Sequence, residues 1–466
     1  MTEVVSTSHG KLRAQTQSRD AATSSAEMAT SNLEIFGRIP ESLSGRLIRN
    51  GPEPLGDSLS HDEVQGSSSA MLHQISIASG RADYRSRRIL ANPAFGNGAE
   101  SGVGIQSLRG GPNSGLVLHG GHVRALGALS NPVVINSGLE VESIDDLAGS
   151  MPFGIGAHAH VDPVWDEMFV IGSSPRSSTF HVGTLDVKGR MRRVVEIATD
   201  TSMFTDTSMF TDTPMFTDTP IFIHDFSFTD TEIVILASGA EMTDEGVSWN
   251  PTAPAYFGVL PRDGEASDIR WHEVSPRVVW HFMNSYRDGV QIVVDHVAHR
   301  APIATAGKSA LLPGVTAPQL RRTQINTLTG ETTDEILDDR AVEYPAIDNR
   351  RQGLRHRFAY AALASSRFND HIGEFDALVR YDFRSDQAID HSFEEGIIVG
   401  EPVVVPRRGS TGEDDAWILA ITTDTKNAKS SVVVLDPQAF GEAPVAEIKL
   451  PQMLPIGHHL LWVPSL

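Results

Sequence analysis

The sequence predicts an all-β fold in a closed or repeated arrangement, and three observations lead there. Apolar runs of strand length recur along most of the chain, many of them β-branched. Gly, Pro, Asp and Asn punctuate them, and convincing amphipathic helices are few. So many short strands over about 430 residues would leave exposed sheet edges unless the sheets close or repeat. A β-propeller is the natural large solution. A pair of β-sandwiches competes with it. Strand periodicity is the same in both, and no WD or kelch repeat is present to decide.

Taken in order, the clearest strands are GLVLHGG at 115–121, EMFVIGSS at 167–174, EIVILASG at 232–239, VQIVVDH at 290–296, WILAITTD at 417–424 and SVVVLDP at 431–437. Two hairpins can be read directly. LDVKGRMRRVVEI at 185–197 is strand, Lys-Gly turn, strand. IFIHDFSFTDTEIVILAS at 221–238 turns at Thr229-Asp230-Thr231. Residues 1–32 are polar and rich in Ser, Thr and Ala, and read as a disordered tail without a signal peptide; residues 33–466 read as one domain. Three near-identical hexapeptides, MFTDTS, MFTDTP and MFTDTP, fill 203–220 and read as a lengthened surface loop, the cheaper alternative to an apolar lid.

Composition narrows the function. The formal net charge of −21 repels phosphate, which argues against nucleic acid and against docking on anionic lipid. There are no cysteines, so disulfides, zinc–thiolate sites and iron–sulfur clusters are excluded, in keeping with a cytoplasmic location. No run of 18 apolar residues suggests a transmembrane helix. A metal would be held by His, Asp or Glu, and 18 histidines are on offer. Their spacing selects none of them: no HExxH or similar local pattern occurs, and a lone His in a strand is usually structural. A GxSxG motif is also absent.

The residues around certain histidines say more. AHAHVDP at 157–163, IHDFSFT at 223–229, HFMNSY at 281–286 and PIGHHLLWVP at 455–464 resemble, in order, the motifs AHPxxDP, HDFxxT, HxxNAY and PxGFHGxWVP of the carotenoid cleavage oxygenase family. GRIPESLSGRLIRNGPEP at 37–54 resembles the family's opening segment, and the likeness runs from about Gly37 to the C-terminus. It implies a seven-bladed β-propeller with a loop and short-helix cap over the metal-bearing face. It implies Fe(2+) held by His158, His224, His281 and His459, with His160 and His458 outside the set. EYPAIDNRRQGLRHRFAYAA at 343–362 and GEPVVVPRRGSTGEDDAWIL at 400–419 match further family segments and imply that Glu343 and Glu401 stand behind the ligands. A carboxylate there takes the proton on an imidazole's far nitrogen, and so fixes tautomer and orientation.

The implied activity is cleavage of one carbon–carbon double bond of a carotenoid or apocarotenoid by O2, giving two carbonyl products. Such a substrate is apolar and compatible with transient contact at a membrane. Three departures from the pattern stand out. GGHVRALGALSNPV at 120–133 places Ala128 where the family usually has a third Glu. HDEVQGSSSAMLH at 61–73 keeps only Met71, Leu72 and His73 of its motif. The hexapeptide repeat directly precedes the second histidine motif. They give weight to an alternative, a propeller with reduced or no turnover that binds an apolar ligand. A stilbene or other phenylpropenoid alkene is a further alternative, but Gly127 occupies the position of the Lys usual in the stilbene-cleaving branch.

Overall fold

In the computed structural model the central strands are apolar on both faces. In Glu232–Ala237 all six residues are buried: Ile233, Ile235 and Ala237 enter one hydrophobic cluster, while Val234 and Leu236 enter the next. Ala416–Asp424 does the same, with Ile418 and Ala420 on one side and Trp417, Leu419 and Ile421 on the other. A strand sandwiched between two other sheets needs this continuous apolar run rather than strict alternation. Stacking each sheet between two neighbours around a ring supplies that environment.

The described residues are 27–51, 69–90, 111–128, 130–173, 178–198, 223–243, 246–250, 252–300, 317–365, 374–454 and 459–465. Among them seven sheets form a seven-bladed β-propeller. Numbered by position round the ring, blade 1 contains Gly45–Arg49, Ala70–Ala78 and Arg81–Ile89. Blade 2 spans Leu116–His119 to Val141–Ile144, and blade 3 spans Ala159–Val161 to Met191–Ala198. Blade 4 spans Phe226–Phe228 to Arg270–Val274, and blade 5 spans Val278–Asp288 to Thr332–Asp338. Blade 6 spans Ala341–Ala346 to Gln387–Ser392, and blade 7 spans Ile397–Val399 to Ala446–Lys449. Each of the seven hydrophobic clusters joins one blade to the next, and the cluster with Leu47, Ile75, Leu419 and Val432 joins blade 7 back to blade 1. Both chain ends cross this closure. Leu460–Pro464 pairs with Gly45–Arg49 in blade 1, and Ile35–Gly37 pairs with Ala446–Lys449 in blade 7. The propeller is thus the alternative realised, and the sandwich pair is not.

Both hairpins form where expected. In the first, Gly189 takes a φ of +73° and the Asp186 carboxylate accepts from the amides of Lys188 and Arg190. In the second, Thr229 Oγ1 accepts from the amides of Thr231 and Glu232. Met28–Thr30, within the stretch read as a tail, pairs with Arg81–Ile89 on the outer edge of blade 1, and Met28 packs against the cluster between blades 7 and 1. An extra hairpin, Ala240–Thr243 with Gly246–Trp249, projects from blade 4. The repeat at 203–220, residues 61–68 and His458 lie outside the described residues, as does much of the chain from which the expected cap would be built. Among the described residues no helix is long and apolar enough to cross a membrane.

Candidate metal centre

His158, His224 and His459 each stand one or two residues before the innermost strand of blades 3, 4 and 1. His281 lies within the innermost strand of blade 5. That strand pairs with Gln291–His299, but the register slips between Val279 and Phe282. A bulge there re-aims side chains, and here it frees Trp280 and His281 from the ladder. A second slip lies between Glu343 and Ala346 in blade 6, where Tyr344 adopts a φ of +52°. For an aromatic residue this left-handed conformation is strained, the kind of cost that persists at functional positions. The two irregularities bring Glu343 and His281 together across neighbouring blades.

The four imidazoles converge. One nitrogen from each of His158, His224, His281 and His459 lies within 4.8 Å of all the others. Their rings meet edge to face, with centroids 4.5 Å apart for His158–His459, 4.9 Å for His158–His224 and 5.1 Å for His281–His459. Metal–imidazole bonds are about 2.1 Å long, so nitrogens spaced in this way can share one ion. The fit has a second sign. Nε2 of His281 is buried and has no hydrogen-bond partner among the described residues, while its Nδ1 faces Glu343. Such an orphaned lone pair is what a metal site presents before its ion.

Carboxylates fix the outer nitrogens unequally. Glu343 Oε2 accepts from Nδ1 of His281 at 2.5 Å and from the Tyr344 amide at 2.5 Å. Its Oε1 accepts from Nε2 of His299 at 2.6 Å. Glu401 stands 3.4 Å from Nδ1 of His459 and accepts from the Leu460 amide at 2.6 Å. Asp225 is 4.0 Å from Nδ1 of His158 but is engaged elsewhere. It accepts from Nε2 of His160 at 2.8 Å and from the amides of Phe226 and Phe282. His160, its ring edge-on to Phe226 at 4.8 Å, lies outside the cluster.

Electrostatics act differently on His158 and His224 than on His281. Burial, reinforced by the neighbouring imidazoles, holds His158 well below the usual histidine range. Burial and then the proximity of His281 hold His224 down to about 3. Burial also opposes charge on His281, but the Glu343 carboxylate outweighs it and raises the value. Burial alone would raise Glu343; His281 and His299 more than offset this and keep it well below the carboxylate range. Neutral imidazoles and an ionised carboxylate are the protonation states metal binding requires.

A cavity of about 420 Å³ reaches His158, His281 and His459 and extends along the axis past Tyr344 to Pro163 and Arg350 at the far ends of the inner strands. Ala128 is half-buried beside blade 2. At Gly127 an added Cβ would collide with the Gly111 carbonyl, so this backbone leaves no room for a Lys. Sequence reasoning missed Asp225, His299 and Tyr344. Asp225 and Tyr344 adjoin motif residues and could have been found there; His299 has no such flag.

A closed ring of seven sheets with four imidazoles gathered near its axis defines a class of propeller proteins whose histidine cluster fits a metal site. Comparison with known proteins gives the class its family. The model of the retinal pigment epithelial membrane protein family matches residues 21–464, and the chain belongs to that family, the carotenoid cleavage oxygenases. It is 27% identical to a carotenoid cleavage oxygenase of Mycobacterium tuberculosis, over 95% of this chain and 96% of that one. It is 25% identical to an apocarotenoid-15,15'-oxygenase of Synechocystis, over 92% of each. A cobalt-substituted Synechocystis apocarotenoid oxygenase superposes with a TM-score of 0.80 at 23% identity, covering 96% of this chain and 98% of that one. The chain is an oxidoreductase of the carotenoid oxygenase type.

Proposed function

We propose that the protein is a non-haem iron(II) dioxygenase that cleaves one double bond of a carotenoid or apocarotenoid with O2, giving two carbonyl products. His158, His224, His281 and His459 would hold the iron, and Glu343 and Glu401 would orient His281 and His459. The observation that carries this is the convergence of four histidines, from four different blades, on one point. Iron(II) held by four neutral imidazoles supplies the site for oxygen chemistry, and the two electrons lost at each alkene carbon go to O2.

The chain's own residues do the rest. Glu343 keeps the proton of His281 on Nδ1 and so points the lone pair of Nε2 into the cluster. Glu401 does the same for His459 more loosely. The edge-to-face contact of Trp280 with His224 at 4.6 Å limits that ring's rotation. The collision at Gly127 disfavours a phenolic stilbene gripped by a Lys at that position, and so favours the apolar polyene.

Anaerobic reconstitution with iron(II), then exposure to O2 with a panel of carotenoids, apocarotenoids and stilbenes, tests this by product mass. Paired aldehyde products, formed only with both iron and O2, are expected. An apolar ligand bound with no oxygen consumed would establish the carrier alternative instead.

A further inference from the structure

We propose that His299 is a positioning residue for the metal centre, the outer member of a chain that runs from His299 through Glu343 to His281. The proposal rests on reading the four converging histidines as metal ligands.

A glutamate's terminal torsion is soft and broad, so a carboxylate held through one oxygen can swing. Glu343 is held through both. Oε2 carries the His281 contact and the Tyr344 amide. Oε1 accepts from Nε2 of His299 at 2.6 Å. The donor itself has little freedom. His299 ends the strand Gln291–His299, paired directly opposite Val278, three residues before His281. Its side chain is 3% exposed and that of Glu343 is 4% exposed, so water does not readily replace either partner. The same blade thus supplies His281 at its innermost strand and, from the adjoining strand, the residue that aims the carboxylate at it.

The other glutamate shows what the arrangement adds. Glu401 has the backbone amide of Leu460 on its second oxygen rather than an imidazole. It is 19% exposed, and its separation from His459 is 3.4 Å against 2.5 Å for Glu343 and His281. The tighter contact belongs to the carboxylate with the buried second imidazole. Charge-assisted hydrogen bonds in such a dry environment are short and directional. His299 therefore acts on the metal through Glu343 and His281, and touches neither substrate nor ion.

The test uses Co2+ alone as the probe, titrated into the full-length metal-free chain carrying His299→Phe or His299→Gln. The Phe variant keeps a ring but has no donor; the Gln variant offers an amide N–H to Oε1. Apo melting temperature reports folding in each. Expected is an approximately tenfold weaker Co2+ affinity for His299→Phe, within the range for losing an outer hydrogen-bond partner, with a shifted cobalt d–d spectrum. His299→Gln should recover most of the affinity and the spectrum. In a Glu343→Gln background, His299→Phe should change little further. If His299→Phe binds Co2+ as the parent does, or if Phe and Gln variants are equally impaired, the proposal is wrong. If His299→Phe does not fold, His299→Gln decides alone: parent-like affinity and spectrum support the proposal, and loss of either overturns it. A parent chain that binds no Co2+ would instead bring down the ligand reading itself.

Discussion

The two halves of the histidine cluster are built differently. On the side of blades 5, 6, 7 and 1, His281 and His459 each face a glutamate. On the side of blades 3 and 4, the nearest acid to His158 is Asp225, at 4.0 Å, and it is committed to His160 and to two backbone amides. Ala128 stands where the sequence resemblance leads one to expect a third glutamate. In one half a carboxylate faces each imidazole directly. In the other half the rings pack on one another, His224 against Trp280 and the histidines edge to face. The difference teaches that neighbouring blades can meet one cluster of imidazoles by different means, a facing glutamate on one side and edge-to-face rings on the other.

The largest expected effect falls on the tied half. His281→Ala should remove stoichiometric iron, weakening affinity by more than about 100-fold, above the range for an outer partner, while far-UV circular dichroism stays unchanged. Retained iron with retained cleavage would contradict the ligand assignment. Glu343→Gln should cost about 10–100-fold in metal affinity and Glu401→Gln less, because Glu401 is the looser and more exposed partner. Equal losses would remove the distinction between the two carboxylates. On the other half, Asp225→Asn turns an amide toward donors that now meet an acceptor, and should lower unfolding free energy by about 1–3 kcal/mol in urea melts, with a smaller effect on metal affinity than Glu343→Gln. Ala128→Glu should have the smallest effect, a gain in iron affinity of up to about tenfold. A loss would mean that the surroundings have closed around the small residue.

A pH experiment reaches the framework behind His281. Burial, then the neighbouring Arg277 guanidinium, hold His296 down to about 3 in the folded chain. Unfolded, it takes up its proton near the ordinary histidine value of about 6.5. The folded chain binds fewer protons between those values, so this contribution is complete above about pH 6.5 and is lost as pH falls toward about 3. Urea melts of the apo protein over this range should show a shallower decline for His296→Leu than for the parent. Parallel declines would show that His296 does not titrate in this way.

Much of this molecule could be read from its sequence, for reasons that differ from part to part. The strands were legible because buried strands such as Glu232–Ala237 carry an unbroken apolar run, here Ile233 to Ala237. The ring was not, because alternate residues of a strand look the same whether they face a neighbouring blade or the second layer of a sandwich. The family resemblance supplied the seven blades. The histidines were legible through their neighbours, such as Asp225 and Phe226 after His224, while the gaps between them carried no signal. The bulges at Val279–Phe282 and Glu343–Ala346 were invisible, since register depends on the partner strand. His299 was invisible for a related reason: only the pairing of Val278 with His299 reveals that it lies behind His281.

The central claim is that four side chains from four blades hold one iron atom. Anomalous diffraction at the iron edge, on crystals of the anaerobically reconstituted protein, measures this directly. The account predicts one strong peak per chain, about 2.1 Å from a nitrogen of each of His158, His224, His281 and His459. A peak elsewhere, or one bonded to fewer than these four imidazoles, would contradict it.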